Sequence, residues 1–150
     1  MGKRWSVMLS WSALAVIVCA GTAAAQESGT TQFTATLTGA AEAPTPGEPD
    51  GKGTASVTLD EAKGEVCYNL EVSGLEGGAT MAHIHKGAEG QAGGVVVKLE
   101  APKNGSIRSC AKADPSVIKE IAQNPSDYYV NVHDAKFPKG AIRGQLKPAA

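Results

Sequence analysis

Three histidines form the one constellation with a recognisable chemistry in this 150-residue sequence. His83 and His85 stand two apart, so on a strand both side chains leave the same face, with Cα atoms roughly 6.5–7 Å apart. That spacing lets two imidazoles reach one ion. His133 ends a second alternating run, sharing a face with Tyr129 and Asn131 and turned away from Tyr128, Val130 and Val132. If the two strands pair, three imidazoles meet on one polar surface. Three His ligands with an open fourth position suit copper or zinc, and bonds near 2 Å need the nitrogens to converge within about 4 Å. Asp134 is placed to orient one ligand through a hydrogen bond. The competing use of His83 and His85 is structural, their N–H groups fastening the glycine-rich segment 87–94 to the sheet.

No other catalytic set stands out. Ser73 and Ser106 lack a Gly-x-Ser-x-Gly context, no phosphate-cradling glycine loop precedes the helical segment, and the acids are scattered as a solvated surface.

The elements that must carry the histidines are short strands. Phe33, Ala35 and Leu37 alternate with threonines, and residues 39–53, with three prolines, form a loop. Residues 53–59 and 66–72 alternate on either side of a turn at 60–64, which predicts a hairpin. In the second of these strands Val66, Tyr68, Leu70 and Val72 point inward. Residues 80–85 read as a short strand, 87–94 as a flexible loop, and the apolar run 95–99 as a strand covered on both faces. Asp114-Pro115 starts a helix over 115–123 with a stripe of Val117, Ile118, Ile121 and Ala122, which Asn124-Pro125 ends. Strands at 128–133 and about 141–146 complete the chain. With 18 glycines to serve turns, the fold class is all-β: a Greek-key-like sandwich or barrel of about 7–8 short strands with one short helix.

Residues 1–25 read as a secretory signal peptide. Lys3 and Arg4 form the basic head, residues 7–20 an apolar stretch too short for a comfortable membrane span, and Ala23, Ala24 and Ala25 a cleavage site. Val18 ahead of Cys19 fits a lipoprotein site poorly, and Lys3-Arg4 is not a twin arginine. Cleavage after Ala25 removes both tryptophans (Trp5 and Trp11) and Cys19, and turns a net charge of −1 into 12 basic against 15 acidic side chains, or −3. That balance excludes a strong electrostatic claim on nucleic acid or anionic lipid. It leaves a single domain over 26–150, core about 32–147, without a stable membrane anchor and secreted or periplasmic. Two cysteines remain, Cys67 and Cys110. In an exported chain they most simply form one disulfide, worth on the order of 4 kcal/mol for a ring of this size. Two separate buried thiols are the alternative, and the wide spacing speaks against a shared metal site.

The pieces FTATLTGAAEA (33–43), GTASVTL (53–59), VCYNLEVSGL (66–75), AHIHKG (82–87) and YVNVHDAKFPKGAIRGQL (129–146) together resemble a CHRD domain, the module named after chordin. The resemblance covers nearly all of the chain beyond the signal peptide. It implies an extracellular β-rich module that binds a protein or another extracellular ligand, without an agreed enzymatic activity. A looser likeness is to copper–zinc superoxide dismutase, a Greek-key sandwich whose His-x-His strand and a later strand ending Val-x-His or Val-His supply copper ligands. His83, His85 and His133 match that pattern, and Arg143 would stand for the anion-guiding arginine. The further histidines of the zinc cluster are absent. Two expectations follow. One is an exported, non-catalytic binding or structural module; the other is a mononuclear copper or zinc protein with a redox role.

Overall fold

The alternation at Phe33, Ala35 and Leu37 becomes strand β1 (Thr31–Thr38), with all three side chains buried, in a computed structural model that describes residues 1, 2 and 29–150. The segment 1–25, read from the sequence as a signal peptide, lies almost wholly outside the described residues. The predicted hairpin forms from β2 (Lys52–Asp60) and β3 (Glu65–Ser73), in register from Lys52 opposite Ser73 to Asp60 opposite Glu65. Its turn is closed by Asp60 Oδ1, which accepts the Lys63 N–H, and by Gly64 at φ +61°, a conformation that favours glycine.

β4 (Met81–Lys86) and β5 (Gly94–Leu99) form a second hairpin, and β6 (Ser106–Lys112) pairs with β3. The one α-helix among the described residues, α1 (Pro115–Gln123), has the predicted bounds. Asp114 accepts the Ser116 N–H as its cap, and Ile118 and Ile121 enter the core. β7 (Tyr128–His133) and β8 (Ile142–Gln145) follow, and β9 (Lys147–Pro148) pairs with β1. Every pairing is antiparallel, in the order β5-β4-β7-β8-β1-β2-β3-β6.

The two end strands approach each other, so the sheet is a nearly closed barrel. Across this seam the Glu100 N–H donates to Tyr68 Oη at 2.8 Å, and Ser109 Oγ donates to Glu100 Oε1 at 2.9 Å. Inside lie the alternate side chains of the strands, among them Phe33, Leu59, Leu70, Ile84, Val132 and Ile142. Burial of this continuous apolar interior is the main force that closes the barrel. Cys67 and Cys110 are directly opposite each other on β3 and β6 and are joined by a disulfide, as the cysteine count predicts.

Three expectations change. β5 is not covered on both faces. Val97 and Leu99 are buried while Val95 is 47% exposed, because β5 is an end strand of the sheet with solvent over its outer side. The strand covered on both faces is β7, all six of whose residues are buried. Among the described residues there are nine strands rather than seven or eight, the additions being β6 and the two-residue β9.

Candidate metal centre

β4 and β7 are neighbours, and their register sets Met81 opposite His133, His83 opposite Asn131 and His85 opposite Tyr129. Ala82 and Ile84 turn into the core, which sends His83 and His85 to the outer face. The same face of β7 carries Tyr129, Asn131 and His133, and β8 extends the row with Arg143 opposite Asn131. This outer face is not open to water. His133 is 6% exposed, with segment 87–93 folded over one part of the row and the turn 134–141 over another.

The three predicted imidazoles are brought together, though not to the about 4 Å that shared ligation needs. One nitrogen from each of His83, His85 and His133 lies within 4.8 Å of the other two, and it is the one such group of three His, Cys, Asp or Glu among the described residues. The shortest edge is His83 Nδ1 to His133 Nε2, at 3.0 Å. His133 Nδ1 is 3.0 Å from Pro138 O, and His85 Nδ1 is 2.9 Å from Gly93 O. A carbonyl only accepts, so both rings carry their proton on Nδ1 and present a lone pair at Nε2. His83 Nδ1–H therefore donates to His133 Nε2. His85 Nε2 is buried and has no hydrogen-bond partner, an unusual state for a polar atom.

Burial keeps all three rings neutral. It is the leading cause that lowers each, and it takes His83 down to about 4 with help from the neighbouring His133 and His85. A neutral imidazole is the form that binds metal, so protons compete weakly here at neutral pH.

Two of the three donors stand near the spacing that one ion needs. Two nitrogens bound at 2.0–2.1 Å in tetrahedral geometry stand about 3.4 Å apart, so an ion would fit between His83 Nδ1 and His133 Nε2 with little movement once the His83 proton has moved to Nε2 of the same ring. The third nitrogen begins at up to 4.8 Å, beyond the 4 Å criterion by less than an ångström, and must close in.

Neighbouring residues act differently from what spacing implies. Asp134 does not hold His133. Its Oδ1 accepts the Phe137 N–H at 2.6 Å and so shapes the turn that aims the Pro138 carbonyl at His133 Nδ1, while its Oδ2 is buried without a partner. Arg143 does not face solvent to guide anions. It is 1% exposed, stacks 3.4 Å above the Tyr129 ring, and donates to Gln91 O and Ala88 O, each at 2.7 Å. Tyr129 in turn lies nearly parallel to His85, with ring centroids 4.9 Å apart, and its Oη accepts the Gly93 N–H. Segment 87–93, expected to be flexible, is thus pinned by Arg143, Tyr129, Gln145 and His85. The structural use foreseen for the His-x-His pair is half realised: His85 fastens the loop and His83 does not.

Sequence reading missed Glu42. It reaches across from the segment after β1 to accept from Asn131 Nδ2, and burial raises it to about 7 against the opposing pull of Arg143 and Asn131. Gly140 makes room for this pair, since a Cβ there would lie 2.5 Å from Glu42 Oε2.

A nearly closed antiparallel barrel with one packed helix and a polar row across β4, β7 and β8 defines the class as a disulfide-bonded all-β module. The family model of the CHRD domain matches residues 33–146, and the chain belongs to the CHRD-domain family. No curated protein matches it.

Proposed function

We propose that the chain is an exported CHRD module that acts outside the cytoplasm by binding, and that its site holds a single copper or zinc ion through His83, His85 and His133. The observation that carries the metal reading is the three-nitrogen cluster itself, with His85 Nε2 buried and partnerless beside the His83–His133 pair. His83 Nδ1, His85 Nε2 and His133 Nε2 are the atoms that would ligate. Pro138 O and Gly93 O fix the orientation of two of the rings, and the Tyr129–Arg143 stack keeps the loop over His85 in place. A bound ion supplies a Lewis-acid centre, and a redox centre as well if it is copper. Export is supported by the signal-peptide pattern before Gln26, by the Cys67–Cys110 disulfide and by membership of a family whose modules are typically extracellular.

A second reading is a module that binds a protein or another extracellular ligand without metal. It is favoured by the His83–His133 hydrogen bond, which satisfies two of the rings with no ion. Calorimetric titration of the exported protein with copper and with zinc separates the two. The metal reading expects one ion per chain, bound tighter than micromolar and lost in His83→Ala and His133→Ala. Absence of binding at that level refutes it and leaves the metal-free module. N-terminal sequencing of the secreted or periplasmic fraction should begin at Gln26, whereas recovery of intact Met1 in the cytoplasm refutes export.

A further inference from the structure

Met81 opens β4 with its side chain 45% exposed. An isolated apolar side chain at a surface is ordinary; the position of this one is not. Strand alternation sets Met81 on the same outer face as His83 and His85, since Ala82 and Ile84 between them are fully buried. The β4–β7 register sets it directly opposite His133. Residues opposite each other in an antiparallel pair have Cβ atoms about 4.5–5.5 Å apart. Met81 is therefore the neighbour of both partners in the His83–His133 hydrogen bond, along the strand from one and across the ladder from the other. Its unbranched side chain, with three rotatable bonds, has the reach and the freedom to turn a sulfur toward that gap.

We propose that Met81 Sδ is a fourth donor of the three-histidine site and that it makes the site select cuprous copper over zinc. This rests on the metal reading given above and adds the identity of the ion. Two arguments support it. A thioether is a soft donor, which suits Cu(I) and adds little for Zn²⁺. The donors also bring no negative charge, being three neutral imidazoles and a thioether. The charges felt at the rings are cationic Lys98 at His83 and Arg143 at His85, with Asp134 opposing at His133. A half-buried, uncompensated site carries one positive charge more readily than two.

The test uses the exported protein and Met81→Leu, an exposed change of similar volume. Cu(I) affinity is measured anaerobically by competition with a chromogenic Cu(I) chelator, Zn(II) affinity by a parallel competition, and Cu–S scattering by X-ray absorption of the Cu(I)-loaded protein. The expected result is a sulfur scatterer near 2.3 Å in the wild type, absent from Met81→Leu, with Cu(I) binding weakened about tenfold or more and Zn(II) binding changed by less than about twofold. If Met81→Leu retains full Cu(I) affinity and the wild type shows nitrogen scatterers alone, while His133→Ala abolishes binding, the Met81 assignment is overturned and the three-histidine site stands. If the wild type takes up neither ion, the three-histidine reading fails and this inference fails with it.

Discussion

At the level of single residues, the histidine cluster and Glu42 give the protein two opposed pH dependences. An imidazole in the unfolded chain takes up its proton near pH 6.5, while burial holds the folded rings below that value, His83 at about 4. The folded state binds fewer protons in that window, so the histidines withdraw stability as pH falls from 6.5 toward 4. Glu42 does the reverse. The folded carboxyl keeps its proton up to about 7 and the unfolded one releases it near 4.5, so stability is lost as pH rises through that interval. Glu42→Gln keeps an acceptor for Asn131 and removes the second trend. Its thermal midpoint should exceed the wild type's at pH 7.5 and fall more steeply on acidification to 4.5. A profile parallel to the wild type's would show that Glu42 does not titrate in this range. The histidines were legible in the sequence because period-two spacing is a local property. Glu42 was not, because 89 positions separate it from Asn131 and only the folded barrel brings the two together.

The elements show the same division. β1, β2, β3, β7 and α1 announce themselves through alternation, turn residues and caps that lie within a few positions of one another. β6 escaped because its inward positions, Ile107, Ser109 and Ala111, are only half-buried and one of them is polar. Its strand character comes from pairing with β3. That pairing is what brings Cys110 opposite Cys67, so the disulfide locks the strand that sequence pattern leaves undefined. Non-reducing mass analysis should find the natively purified chain two hydrogens lighter than its reduced form, and reduction should lower stability by about 4 kcal/mol; two free thiols in that protein would refute the bond. Segment 87–93 offers a second test at this scale. A Cβ at Gly93 would stand 1.6 Å from Lys86 O, while the Gly93 carbonyl holds His85 Nδ1 and its N–H donates to Tyr129 Oη. Gly93→Ala must displace the loop. A loss of about 1–3 kcal/mol is expected in denaturant unfolding, together with weaker metal binding than the wild type. Unchanged affinity would mean that His85 needs no help from the loop.

Across the whole molecule, cohesion comes from the interior and the seam of the barrel. The core is apolar and continuous, the seam between the end strands is bridged at Tyr68, Glu100 and Ser109, and the chain ends beside β1 through β9. The interior faces of the strands carry cohesion and the outer face of β4, β7 and β8 carries the polar row, and alternation in the sequence writes both at once. The loops that cover the outer row of β7 were the part least open to sequence reading, since nothing local tells a glycine-rich segment that a buried arginine will clamp it. The His83–His133 hydrogen bond has a consequence for traffic. In small zinc domains the ion is the keystone, and a chelator unfolds them. On the metal reading proposed above, this hydrogen bond keeps both rings in position without an ion, and loading asks only that the His83 proton move from Nδ1 to Nε2 of its own ring on a standing scaffold. Stripping with a chelator should leave the far-ultraviolet dichroism unchanged and lower the thermal midpoint only by the mass-action contribution of the lost ion; collapse of the fold on stripping would contradict it. The protein would then serve as a returnable container, one that hands over its cargo and remains ready for the next.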